Sequence, residues 1–426
     1  MTKLKSSRII NQLKALGPGL LWAGAAIGVS HLVQSTRAGA NYGFALVWAV
    51  FFAIIFKYPA FEFGPRYAAS TGKSLLHGYS EIGKWAMGVF LFMTFGTMFT
   101  IQAAVTVVTA GLASYLFGIP LSPLIWSMII IFICILILMI GRYPLLDKLI
   151  KFIIILLSIS TIIAVFGAVI HGDSVQPDFI KPQVWTISGI AFLVALMGWM
   201  PSAIDISVWH SLWTIERKKE TGHSPSLKEA LFDFNLGYFG TALLALGFLT
   251  LGAMVMYGSG AHFSKSGAGF AGQLIDMYVQ ALGEWSRPII GLAAFTTMFS
   301  TTLTVTDAFP RVLRKSTEII FQKYFNNKNT SYLYWIGMAI VASGGLIIIA
   351  FLLDDMTLLV DLATTLSFLT APILAYINYK VVTGKTMPTE FQPKQWLRIL
   401  SWIGIFFLAG FSLLFLVWRF GEGIIY

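Results

Sequence analysis

The chain has 426 residues, of which 57% are hydrophobic and only 11% charged, and its mean hydropathy is +0.78. A soluble domain carries about a quarter charged residues, so lipid must cover much of this surface. The net charge of +10 is distributed loop by loop rather than gathered on one face, which excludes nucleic acid as a partner.

In chain order, uncharged runs such as 123–140 and 152–170 are long enough to cross a bilayer core of about 30 Å as helices, and the alternating segments of about ten residues that a β-barrel needs are absent. The sequence therefore predicts an all-α polytopic membrane protein with about eleven spans, at 17–43, 45–66, 86–116, 123–141, 149–171, 185–213, 230–257, 287–308, 332–353, 356–381 and 397–420. A tail at 1–16 carries Lys3, Lys5, Arg8 and Lys14. Basic residues then recur in every second loop, from Arg66, Lys73 and Lys84 through Arg142, Lys148 and Lys151, then Arg217, Lys218 and Lys219, then Arg311, Arg314 and Lys315, to Lys380 and Lys385. The positive-inside rule puts these loops and the N-terminus in the cytoplasm, the C-terminus outside, and the chain in the plasma membrane of a prokaryote. No cleavable signal peptide is read. The loop at 258–286 is glycine-rich and then amphipathic, which predicts a surface helix. Cys134 is the sole cysteine; it excludes an internal disulfide and a cysteine metal cluster, and is read as a packing residue.

Two spans do not read as ordinary helices. The first, 17–44, has Gly28-Val29-Ser30-His31 at its middle, and the sixth, 187–213, has Gly198-Trp199-Met200-Pro201-Ser202. Proline removes a backbone donor, and unwound backbone is tolerated at membrane depth only where protein buries it or a cavity lines it. Breaks one repeat apart predict two five-span repeats of inverted topology, 17–171 and 185–381, with span 397–420 peripheral, all within a single membrane domain over 1–426, and the substrate held between the breaks.

At these residues the chain resembles the NRAMP family of divalent-metal transporters, which has the LeuT-type fold. The similarity lies in the Gly17-Pro18-Gly19 start, the Ala38-Gly39-Ala40-Asn41-Tyr42-Gly43 tail, the stretch Thr71-Gly72-Lys73-Ser74-Leu75 and Met200-Pro201. The resemblance implies a secondary transporter of a divalent metal cation. The family's first-helix motif D-P-G-N falls on Gly28, Val29, Ser30 and His31, and the histidine of its M-P-H falls on Ser202, so the metal-binding acid is glycine here.

A dication in low dielectric needs strong donors. His31, Met200 and Asp205 form one candidate metal set, an N/S/O combination suited to transition metals; Asp205 read structurally is instead an ion-pair partner, with Arg37 as its candidate. The wider substrate-binding set is Gly28, Val29, Ser30, His31, Met197, Met200, Pro201, Ser202 and Asp205. A second reading has the half-helix N-termini with Ser30 and Ser202 cradling a small organic solute such as a carboxylate or amino acid, with Trp199 and Trp209 lining the pocket. Intramembrane ionisable residues are functional candidates by default: Arg37, Lys57, Glu62, Asp205, Asp307 and Asp361. Arg37 is expected to pair with an intramembrane acid, whereas Lys57 and Glu62 are read as snorkelling toward the cytoplasmic end. For the coupling ion, Ser300, Thr301, Thr304 and Asp307 together with the Gly28 and Val29 carbonyls suit sodium, and His31, Asp205 or Asp307 suit a proton. Neither a P-loop nor a nucleophile constellation is present, which disfavours an ATP-driven pump and an enzyme, and no cofactor is implied.

Overall fold

In lipid every backbone amide and carbonyl must be satisfied within the protein, and a single apolar run achieves that only as a helix. The computed structural model describes residues 17–141, 143–171, 176, 179–325, 329–351 and 355–420, and no strand occurs among them. The helices are α1 (Pro18–Ala26), a π-helical turn (Ser30–Ser35), α2 (Thr36–Tyr42), α3 (Val47–Thr71), α4 (Leu75–Ile82), α5 (Lys84–Phe117), α6 (Pro123–Ile140), α7 (Tyr143–His171), α8 (Ile187–Gly198) and α9 (Ile206–Thr221). They continue as α10 (Leu227–Val255), α11 (Gly267–Leu282), α12 (Arg287–Ile320), α13 (Gln322–Phe325), α14 (Ser331–Phe351), α15 (Met356–Val382) and α16 (Gln395–Phe420).

Among the described residues 8 helices, α3, α5, α6, α10, α12, α14, α15 and α16, are long and apolar enough to cross a membrane. With α7 and the two interrupted segments, α1–α2 and α8–α9, they form eleven spans. The tail 1–16 and Arg142 lie outside the described residues. Helix ends follow local rules. Gly72, Gly118, Gly141 and Gly222 stop α3, α5, α6 and α9 in the left-handed conformation, which only glycine adopts without cost. A capping box of Ser226 and Glu229 starts α10.

Three elements depart from the sequence expectation. The second span continues to Thr71 through Pro59 and Pro65, because neighbouring helices can satisfy the carbonyls that proline frees. The eighth span runs on to Ile320, its final turns carrying Arg311, Arg314, Lys315 and Glu318. The helix expected on the surface, α11, buries one face, including Phe270, Leu274, Ile275 and Tyr278, and the Tyr278 hydroxyl lies 2.7 Å from that of Thr161 on α7.

The first span is anchored at both ends. The Asp233 carboxylate on α10 accepts the Gly17 and Gly19 amides at 3.1 and 2.6 Å, a cap supplied by another helix. A Cβ on Gly19 would stand 2.1 Å from the Asp233 carbonyl oxygen, which explains the Gly-Pro-Gly start. Trp22 packs into Phe61, Phe234 and Tyr238 with ring centroids 5.3, 6.0 and 5.3 Å away. At the other end α2 touches α10 backbone to backbone: a Cβ on Gly39 would lie 1.9 Å from the Leu249 carbonyl oxygen. Close approach through small residues is the usual way membrane helices gain packing energy.

Candidate functional site

The first break is a bend rather than a wide gap. After α1 ends, the Gly28 carbonyl accepts the His31 and Leu32 amides at 3.2 and 3.0 Å, and the chain passes straight into the π-helical turn. The amides that begin the second half-span are thereby engaged, so the expected cradle of free half-helix amides is not formed at His31 and Leu32. Gly28 faces Thr301 of α12 so closely that a Cβ would meet the Thr301 Oγ1 at 2.7 Å.

His31 is fully buried, and its ring turns away from the sixth span. Nδ1 lies 2.7 Å from the Ser30 Oγ and 3.0 Å from the Ala26 carbonyl oxygen, and Nε2 lies 2.9 Å from the Thr241 carbonyl oxygen on α10. The Ser30 hydroxyl donates to the Ala26 carbonyl. Both imidazole nitrogens are thus used in tying the bend to α10. The expected metal set of His31, Met200 and Asp205 is corrected on that ground: Asp205 lines the cavity between the breaks, whereas His31 and Met200 do not.

The second break runs from Trp199 to Asp205, where α8 has ended and α9 has not begun. Its organiser is Lys57, near the middle of α3 and with no exposed surface. The Lys57 ammonium donates to the carbonyl oxygens of Met197, Gly198, Met200 and Ser202 at 2.8, 2.8, 3.2 and 2.9 Å. The reading of Lys57 as a snorkelling residue is therefore wrong: an ammonium at mid-helix, with the carbonyls of an interrupted helix opposite it, is better satisfied inside the protein than by reaching for water. Glu62 is likewise buried and pairs with Arg66 one turn away at 2.5 Å. The signal in the sequence was the lysine itself, at the centre of an apolar span.

Between the breaks lies a cavity of about 30 Å³ lined by residues of both, including Val29, Ser30, Trp199, Ser202 and Asp205, together with Trp209 and Thr301. His31, Met197, Met200, Gly28 and Pro201 are not among its lining residues. Asp205, the residue that precedes α9, is buried, and its Oδ2 has no hydrogen-bond partner. Lys57 is within electrostatic reach of it. Trp199 is held by donation from its indole Nε1 to the Ser367 Oγ at 2.7 Å, and Trp209 packs edge-on against Phe309. The cavity therefore offers one carboxylate, three hydroxyls and two aromatic walls.

The remaining candidates separate. Thr301 reaches the cavity, and its hydroxyl lies 3.2 Å from the Gly24 carbonyl oxygen. Ser300 and Thr304 are buried but do not line the cavity. Asp307 sits further along α12, where it accepts from Arg311 at 2.6 Å and from the Tyr334 hydroxyl at 2.5 Å, so it does not join Thr301 in one ion site. Arg37 pairs not with Asp205 but with Asp361 of α15, in a two-pronged contact of 2.7 and 3.0 Å; Gln34 bonds to both partners, and Phe192 lies under the guanidinium at 5.1 Å. Fork-to-fork geometry of this kind is the strongest form of ion pair.

Comparison with known proteins places this architecture. An uncharacterised protein of Pasteurella multocida (strain Pm70) is 36% identical over 422 residues, covering 98% of this chain and 95% of the relative. A manganese transporter of Eremococcus coleocola, solved as a point mutant, superimposes with a TM-score of 0.67 at 15% identity, covering 95% of this chain and 86% of that one. MhsT, solved in complex with L-phenylalanine, does so with a TM-score of 0.56 at 15% identity, covering 95% and 98%. Both superpositions extend over nearly the whole of this chain and show its LeuT-type fold. The sequence profile described as Natural resistance-associated macrophage protein-like matches residues 19–418, nearly the whole chain, and the protein therefore belongs to the Nramp family of multi-pass membrane transporters.

Proposed function

We propose that this protein is an alternating-access transporter that moves a small hard metal cation, with Asp205 as the carboxylate that recognises its charge. The observation that carries the reading is Asp205, a buried carboxyl group that lines a cavity bounded by both broken spans and whose Oδ2 has no hydrogen-bond partner among the described residues. A carboxylate oxygen left without a donor in low dielectric is costly, and a cation bound there removes the cost. The other polar groups lining the cavity are the hydroxyls of Ser30, Ser202 and Thr301. Oxygen donors alone suit Mg²⁺, Mn²⁺ or an alkali cation rather than a thiophilic metal. The family and the manganese transporter of the same fold support a metal cargo. The organic-solute alternative gains support from the two tryptophans, but a cavity of about 30 Å³ has room for only one or two water-sized particles.

For coupling, a proton is better supported than sodium. Of the expected sodium ligands, Ser300, Thr304 and Asp307 do not line the cavity with Thr301, and Asp307 is occupied by Arg311 and Tyr334. Repeat boundaries at 17–171 and 185–381, and an N-terminus in the cytoplasm of a bacterium, complete the proposal. The basic groups at the ends of α9, α12 and α15 (among them Arg217, Lys218, Arg314, Lys315 and Lys380) fall at one end of the bundle and support that orientation.

The test is calorimetry of the purified protein with Mg²⁺ and Mn²⁺, repeated on Asp205→Asn. A hydrogen bond or contact to a charged group is worth about 1.5–3 kcal/mol, so the variant is expected to bind about 10–100-fold more weakly. Equal affinities in the two proteins would remove Asp205 from the site. Absence of heat with either metal in folded protein would remove the metal reading.

A further inference from the structure

The Lys57 ammonium has more acceptors than it has protons. Four carbonyl oxygens, those of Met197, Gly198, Met200 and Ser202, lie within 3.2 Å of one nitrogen, and an ammonium has three donors. No carboxylate is bonded to it, and the shell is built only of backbone oxygens. Carbonyl shells of this kind replace the hydration shell of monovalent cations elsewhere in membrane proteins. The shell is also where the chain needs a cation most: α8 ends at Gly198, where its last carbonyls and the negative end of its dipole meet an unwound segment with no helix to continue the bonding. The lysine is delivered by a separate element, α3, which lies against the start of α9 so closely that a Cβ on Gly64 would be 2.3 Å from the Ser207 carbonyl oxygen.

We propose that Lys57 is a tethered cation: its ammonium fills a carbonyl cage in the break of the sixth span and, by holding residues 197–202, positions Trp199, Ser202 and Asp205 around the substrate cavity. In this protein the break is thus held by a covalently attached ammonium, and with the side chain removed the same cage takes up a free monovalent alkylammonium. Lys57 does not touch the cargo; it is a positioning residue. Its influence on cargo binding rests on the reading of Asp205 as the cation-recognising group, whereas its occupancy of the cage does not.

The experiment is chemical rescue of Lys57→Ala with propylammonium chloride, using uncharged 1-propanol as the control of the same shape. Two readouts are followed, the thermal unfolding midpoint of the full-length protein in detergent and Mg²⁺ or Mn²⁺ affinity. Lys57→Ala is expected to unfold at lower temperature and to bind the metal about 10–100-fold more weakly, as when the support of a ligand is lost. Propylammonium is expected to restore both saturably, 1-propanol to restore neither, and wild type to respond to neither. Lys57→Met, which fills the space without charge, is expected to remain weak and to be insensitive to the amine. Rescue by 1-propanol as well as the amine, or a Lys57→Met protein equal to wild type, would reduce Lys57 to a packing residue and overturn the proposal. Failure of propylammonium to raise the unfolding midpoint, or to produce a folding transition where the variant has none, would overturn it equally. If wild type itself binds no metal, the cation reading of the cavity fails while the thermal readout still decides the cage.

Discussion

At residue 28 the neighbouring helix leaves no room for a side chain. A Cβ at residue 28 would meet the Oγ1 and Cγ2 of Thr301 at 2.7 and 2.8 Å. Overpacking of this kind costs about 1–3 kcal/mol, so Gly28→Asp is expected to lower the unfolding midpoint. Combining it with Thr301→Ala is expected to recover most of that loss, a non-additive pair, because the two side chains are in contact. Thermal unfolding of the two single variants and the double variant checks this, and additive losses would mean that the contact is relieved some other way. His31 illustrates the same dependence on neighbours. Its ring is committed to Ser30, Ala26 and Thr241, an arrangement set by α10, far away in the chain.

The start of the first span is secured by a group from another helix. The Asp233 cap on α1 stands in for the side-chain cap that Gly17 cannot provide. Its removal in Asp233→Ala is expected to cost about 0.5–2 kcal/mol and to speed hydrogen exchange selectively over residues 19–22; unchanged exchange there would show that the cap contributes nothing. The short helix α4, which lies outside the spans, carries a titrating group. Burial first, and then the positive charges of Lys315 and Lys73, push the His77 imidazole down from 6.5 to about 4, so the folded protein holds it neutral. A depressed folded value means that protonation favours unfolding. Stability associated with His77 is therefore complete above about pH 6.5 and declines as the pH falls toward 4. The unfolding midpoint is expected to drop over that interval, and His77→Gln is expected to flatten the slope. A slope unchanged by the substitution would assign the acid sensitivity to other groups.

Across the whole molecule, the Arg37–Asp361 contact joins α2 of the first span to α15, which makes it a candidate gate that labelling can test. Gln34 and Phe192 pack against the same pair. Arg37→Gln and Asp361→Asn are each expected to increase the rate at which a thiol reagent reaches a cysteine introduced at Ser202. The pair together is expected to add little beyond either alone. The native Cys134 is buried, which keeps the background low. Labelling rates and transport equal to wild type in both variants would exclude a gating role for the pair.

The sequence by itself determined that the chain lives in a membrane as an all-helical bundle, and where the first and sixth spans break. Those properties come from composition and from Gly, Ser and Pro at fixed positions, and they are decided locally by the need to satisfy backbone groups in lipid. It also marked Asp205 and Arg37 as charges that burial would have to justify. Tertiary structure alone decided their partners. Whether Arg37 meets Asp205 or Asp361, whether Lys57 reaches water or the carbonyls of the sixth span, and whether His31 faces the cavity or α10 all depend on which helices lie side by side. The long-range contacts at Gly19, Gly28 and Gly39 bring those helices together. Hydrophobic periodicity carries no record of such pairings, because a buried charge is stabilised by whatever oxygen or nitrogen the packing of distant segments brings within about 3 Å.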